Sequence, residues 1–184
     1  IAALQTSLEV NLMDKSLDQT VREVLKENLN DVRALQALSD NLLKLARVDG
    51  KNLQFKPIVV IDCLKKTIKA VNPLAKKKKI EIQVVNQAQK ARVMGDYYGL
   101  KDVLTILLDN AIKYSKRKTV VKISIKLRKH SVLIVVADQG CGIAKEFLPH
   151  IFDRFYQVDK ARSKDSCSGV GLGLAVAKKT MDQF

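Results

Sequence analysis

Three short segments carry residue types that together could hold a polyphosphate nucleotide. Asp138-Gln139-Gly140-Cys141-Gly142 follows the apolar run Ile134-Val135-Val136. A carboxylate there can accept a hydrogen bond from an exocyclic amine of adenine, and Gly140 and Gly142 let the backbone turn close to the ring. Gly169-Val170-Gly171-Leu172-Gly173 precedes a helical pattern, so its backbone amides and the helix N-terminus could face a polyphosphate. It is not a Walker A loop, because no Lys-Ser/Thr follows the glycines, nor a Rossmann fingerprint, because no βαβ unit surrounds it. Asn110 sits in Leu107-Leu108-Asp109-Asn110-Ala111, where a neutral amide oxygen can complete a Mg²⁺ shell whose charged ligands are phosphates. Lys113 is three residues on and can offer an ammonium to the same phosphates; Tyr114 is four residues on and can offer its ring to a base. Each segment has a plainer reading, as an Asp-x-Gly turn, a glycine loop or a capping asparagine. Their occurrence in one chain, in this order, points to Mg-ATP.

The elements that must position these residues follow from apolar spacing. Ile1, Leu4, Leu8 and Leu12 recur every three to four residues, as on a short helix, and Asp14-Lys15-Ser16 interrupts it. Ser16 or Asp18 can cap a second helix, along which Val21, Val24, Leu25, Val32, Leu35, Leu38, Leu42 and Leu45 keep a nearly heptad stripe up to Gly50. Such a length suits a hairpin in a bundle, completed by a second subunit. Asp49-Gly50-Lys51-Asn52 is the boundary, giving a helical region 1–49 and a second domain 50–184. Beyond it, 55–59 reads as an extended lead-in and Val60 to Asn72 as a helix ended by Pro73. Ile80 to Val84 and 92–96 read as strands, and Tyr98 to Tyr114 as a helix. Val120 to Leu127 and Val132 to Ala137 read as an antiparallel pair joined at 128–130, and Gly173 to Met181 as a last helix. Helices with antiparallel strands in this order predict an α+β fold, a two-layer α/β sandwich. Lys160 to Ser168 is small, polar and charged, like a lid, with Phe147, Leu148, Ile151, Phe152 and Phe155 tethering its base.

Composition narrows the function classes. The net charge of +14 is uneven: residues 1–50 hold six basic and eight acidic side chains, and the rest holds 27 and 11. That field attracts nucleic acid, acidic lipid or a triphosphate alike. The lysines lack aromatic interleaving or a recognition-helix pattern, so direct nucleic-acid contact is not expected. Cys63, Cys141 and Cys167 have no paired ligand spacing, which argues against a zinc site or a disulfide framework and for a reducing, cytoplasmic setting. No apolar run approaches the ~20 residues needed to span a bilayer, which leaves open a membrane-anchored parent protein.

Four blocks carry a resemblance: LLDNAIKYS at 107–115, DQGCGI at 138–143, FDRFYQVD at 152–159 and GVGLGLAVAKK at 169–179. In wording, order and spacing they resemble the asparagine, first-glycine, phenylalanine and second-glycine boxes of sensor histidine kinases of two-component systems. The resemblance implies the ATPase-kinase sandwich shared with gyrase B, Hsp90 and MutL. It implies that Asn110 binds Mg²⁺, Lys113 helps with phosphates and Tyr114 packs near the base. Asp138 would recognise adenine, Gly140 and Gly142 would shape its pocket, and Gly169, Gly171 and Gly173 would frame the phosphate side of the lid, with Arg154 near the lid or the phosphates.

By the same resemblance, residues 1–49 are the end of the dimerisation and phosphotransfer hairpin, which forms a four-helix bundle in a homodimer. The phosphoacceptor histidine is then expected upstream of Ile1, with a response-regulator receiver domain as the next phosphoryl acceptor. Neither His130 nor His150 lies on that hairpin, and the chain is expected to stop before the family's closing strands. One departure stands out: family members often carry a second asparagine one turn before Asn110, and related ATPases carry a glutamate base there. This chain has Ile106, which can neither ligate a metal nor activate water. A water-activating ATPase and a degenerate dimerisation scaffold are the alternative functions.

Overall fold

The computed structural model describes residues 1–49, 54–158 and 170–184, without the side chains of residues 48 and 49. Two helices open the chain, α1 (Ala2–Met13) and α2 (Gln19–Asp49). Leu8 and Leu12 on α1 meet Leu25, Leu29 and Val32 on α2, so the apolar spacing closes a helical hairpin. Polar side chains hold its turn. Asp18, rather than Ser16, is the cap, its carboxylate accepting from the Thr20 amide at 2.9 Å. Ser16 instead donates to Asp14 through both its amide and its hydroxyl. Arg22 donates to the carbonyls of Leu12 and Asp14, satisfying acceptors that the end of α1 leaves unpaired.

The second region runs β1 (Phe55–Val59), α3 (Val60–Lys78), β2 (Glu81–Asn86), β3 (Arg92–Asp96), α4 (Tyr97–Tyr114), β4 (Val120–Arg128), β5 (Ser131–Ala137) and α5 (Gly173–Met181). β1 pairs antiparallel with β3, and β2, β4 and β5 form a second sheet with β4 central. β4 and β5 are antiparallel from Lys122 opposite Ala137 to Arg128 opposite Ser131, as their alternation predicts. β2 and β4 are parallel, with Glu81 opposite Val120, against the expectation of antiparallel pairing. The chain passes through β3 and α4 between them, and a crossover of that length returns the strand in its original direction.

α3 corrects a second expectation. It does not end at Pro73 but continues to Lys78. Proline removes one intrahelical bond, to the carbonyl of Lys69, and both residues are exposed, so water can take its place. Beyond the proline, Ala75 is fully buried in the core. Packing of that last turn outweighs the roughly 3 kcal/mol that a helix-interior proline costs. The helix stops at Lys79, whose left-handed φ of 57° turns the chain into β2.

The core lies between helices and sheet. Cys63, Leu64 and Val71 of α3 and Leu100, Leu104 and Leu108 of α4 pack on Val121, Ile123 and Ile125 of β4. Lys122 and Lys126 alternate to the open face, which makes the arrangement two layers. A smaller cluster joins the two regions: Leu45 of α2 packs with Val103 and Ile106 of α4 and with Leu172, Val176 and Ala177 in and before α5. Ion pairs flank it, Lys44 with Asp102 at 3.3 Å and Arg47 with Asp96 at 3.0 Å. Among the described residues no helix is long and apolar enough to cross a membrane.

Candidate nucleotide-binding site

α4 is the spine of the site. Its start is fixed by Asp96, buried, whose carboxylate accepts from the Gly99 amide at 2.7 Å. Its apolar side is spent on the two clusters, which leaves Asn110 and Lys113 half-buried and Tyr114 exposed near its C-terminal end. The Lys113 ammonium lies 5.1 Å from the centre of the Tyr114 ring, a cation–π distance. The sequence therefore brings a side-chain amide, a cation and an aromatic face onto adjacent turns, as its spacing predicts.

Asp109, immediately before Asn110, is exposed yet crowded. Desolvation raises its carboxyl above the ordinary carboxylate range, against Lys113 and Lys44, which pull it down. A raised acid pKa means that the folded chain holds this proton more tightly than the unfolded chain, so stability falls as pH rises through that range. Asp109→Asn should accordingly melt at a higher temperature than the parent at pH 7. Thermal unfolding across pH should show the gain shrinking as the pH falls and the parent's Asp109 protonates.

The Asp138 loop docks on the end of α4. Ser115 and Gly140 form an antiparallel bridge, and the Gly140 amide donates to Asp138 Oδ1 at 2.8 Å. Gln139 Oε1 accepts from the Val120 amide at 3.1 Å, tying the loop to the start of β4. A Cβ on Gly140 would stand 2.7 Å from the Tyr114 carbonyl oxygen, so glycine is needed there for space. Gly142 is needed for conformation instead: its φ is +71°, and among the described residues nothing lies within 4 Å of the Cβ it lacks.

The second glycine segment meets α4 about two turns earlier, at Ile106. Gly171 has φ +73°, and a Cβ on it would stand 2.8 Å from backbone atoms of Phe155 and Tyr156. Phe155, itself at φ 63°, donates its amide to the Gly171 carbonyl at 2.9 Å. Gly173 opens α5, and a Cβ there would lie 3.3 Å from Ile106 Cγ2. Further along, a Cβ on Gly99 would lie 3.1 Å from Thr180. α5 therefore runs antiparallel to α4, with its N-terminus toward the turns bearing Asn110 and Lys113. Helix N-termini favour anions.

Other expected parts differ or fall outside. Gly169 and the expected lid at 160–168 lie outside the described residues. Phe147 and Ile151 are half-buried, whereas Leu148, Phe152 and Phe155 are exposed, so apolar burial accounts for only part of the expected tether; a run of short turns between 144 and 155 leads to the Phe155–Gly171 backbone bond, which ties it to the glycine segment. Arg154 is exposed on that run, with no polar partner among the described residues.

Residues 95–184 match the family described as histidine kinase-, DNA gyrase B-, and HSP90-like ATPase. Over 166 residues, 88% of this chain, it is 32% identical to the sensor histidine kinase YkoH of Bacillus subtilis (strain 168). The chain belongs to the sensor histidine kinase family. It spans only 35% of YkoH. A structure of full-length ShkA in complex with AMPPNP aligns with 98% of this chain and 38% of its own length, at a TM-score of 0.72 and 24% identity. ThkA in complex with the response regulator protein TrrA aligns at a TM-score of 0.63 and 18% identity, over 85% of this chain and 45% of that one. These two likenesses are of fold.

Against that family, Ile106 has a clear structural account. It is buried against Leu45, Val103, Leu172 and Val176. The position serves to pack α2 and α5 on α4, which an asparagine or glutamate would do poorly without a polar partner.

Proposed function

We propose that this sensor histidine kinase region binds Mg-ATP and directs the γ-phosphoryl group to a histidine on a dimerisation helix. That group is then relayed to an aspartate of a response-regulator receiver domain. The observation carrying the reading is the convergence of three segments on α4: the Asp138 loop at its end, the Gly171–Gly173 segment at Ile106, and Asn110 with Lys113 between. Asp138 would accept from the adenine amine, with Gly140 and Gly142 shaping the loop and Tyr114 against the base. Asn110 would give Mg²⁺ an amide oxygen, with phosphates and water as the remaining ligands. Lys113, the α5 N-terminus, Gly169 and Arg154 would face the phosphates. Positioning and charge neutralisation supply most of the catalysis in such a transfer.

Residues 1–49 would form the dimerisation hairpin, pairing with a second copy in a four-helix bundle, and residues 50–184 the ATP-binding domain. For the γ-phosphate to reach a hairpin histidine, the Leu45 cluster and its flanking ion pairs must loosen about the boundary at 49–52. The setting is the cytoplasmic portion of a membrane-bound sensor. Ile106 counts against the water-activating ATPase, since no base stands at that position.

The test is label transfer from γ-labelled ATP to a form of the protein that carries a phosphoacceptor histidine on its dimerisation helix. The account expects acid-labile, alkali-stable label that a receiver domain removes, with little free phosphate released in its absence. Steady release of phosphate without labelled protein would instead identify a hydrolase. Nucleotide-independent dimerisation with no label would identify a scaffold.

A further inference from the structure

Lys76-Lys77-Lys78-Lys79 reads as a solvated basic run, and three of its members are exposed. Lys78 is not. It is half-buried, and its ammonium donates to the carbonyls of Ile112 at 3.1 Å, Lys113, and Ser115 at 3.4 Å. These carbonyls end α4, where the helix leaves its acceptors unpaired and its dipole is negative. An ammonium has three donors, and here three acceptors meet it. The Lys78 backbone is itself held, its carbonyl accepting from the Lys118 amide at 3.2 Å and the next turn closed by Ile80 donating to Ala75 at 2.9 Å. One helix thus caps another through a charged side chain.

The capped turn is the one that bears Lys113 and Tyr114. Its last residue, Ser115, is buried and bridges to Gly140, whose amide bonds Asp138. From this we infer that Lys78 is a positioning residue of the nucleotide site. It fixes the turn that presents Lys113 and Tyr114, and through Ser115 and Gly140 the loop that presents Asp138. The inference rests on the proposed nucleotide-binding reading. Lys78 touches no substrate and acts only through those residues. Hydrogen bonds to a charged donor are stronger than neutral ones, so losing all three at once frees the turn.

The experiment compares Mg-ATP titrations of the 184-residue chain with those of Lys78→Met, which keeps length and loses every donor, and Lys78→Arg, which keeps charge and donors. Lys78→Met should bind Mg-ATP about tenfold more weakly or worse, and Lys78→Arg should recover most of that loss. Hydrogen exchange of the nucleotide-free proteins supplies a readout that general destabilisation would not reproduce. The amides of Ser115 and Gly140 should exchange faster in Lys78→Met, while those of β4 keep the parent's protection. If Lys78→Met does not fold, Lys78→Gln, which keeps a neutral donor, takes its place in both measurements. Parent-like affinity and parent-like exchange in the donor-less variant would overturn the inference alone. A folded parent that binds no Mg-ATP would overturn the nucleotide reading beneath it.

Discussion

Asp138→Ala loses Mg-ATP affinity by roughly 10- to 100-fold, the loss expected for a charge-assisted hydrogen bond worth about 1.5–3 kcal/mol, while its thermal unfolding stays close to the parent's. The carboxylate is exposed and accepts from the Gly140 amide within the same turn. It carries no packing load, so a loss of fold would not follow from its removal; exposed positions of this kind usually change stability by about 0.5 kcal/mol or less. Calorimetric titration alongside a melt separates the two effects. Unchanged affinity in the variant would remove Asp138 from the site, and a collapse in melting temperature would give it a structural role instead.

Gly171→Ala has the second large effect, and it strikes fold and binding together. The residue holds φ +73°, and the added methyl would stand 2.8 Å from backbone atoms of Phe155 and Tyr156. Backbone cannot rotate away as a flexible side chain can, and Phe155 is already in a left-handed conformation. Strain of about 1–3 kcal/mol for the conformation is then joined by displacement of the strand of backbone bonded at the Gly171 carbonyl. Gly142→Ala is the comparison: it has a similar φ, and no described residue crowds its added methyl, so only the conformational part applies. Melting and Mg-ATP titration of the two variants should rank Gly171→Ala as clearly the more damaged. Equal effects would show that the Phe155–Gly171 interlock does not hold the phosphate-side segment.

How far the sequence reveals this molecule depends on whether a residue's role is local. The hairpin, α4, the β4–β5 pair and α5 were legible because apolar spacing records which face is buried. Asn110, Lys113 and Tyr114 were legible because helical spacing alone places them together. The parallel β2–β4 pairing was not, because strand direction is decided by the whole crossover and not by either strand. Pro73 misled because a proline's local penalty was outweighed by burial of Ala75, which only tertiary packing provides. The role of Phe155 was misread as apolar anchoring, since nothing in its type announces a left-handed backbone bonded to Gly171. Lys78 was invisible among four lysines: what distinguishes it is a helix end from another part of the chain. Ile106 read as the loss of a polar residue, and the structure adds what it gains, a seam joining α2, α4 and α5.

The central claim, that these segments build a Mg-ATP site, is tested most directly by titrating the 184-residue chain with ATP in the presence and absence of Mg²⁺. The account predicts saturable, Mg²⁺-dependent binding, with the metal dependence weakened in Asn110→Ala. A folded chain that shows no saturable binding under either condition would contradict it.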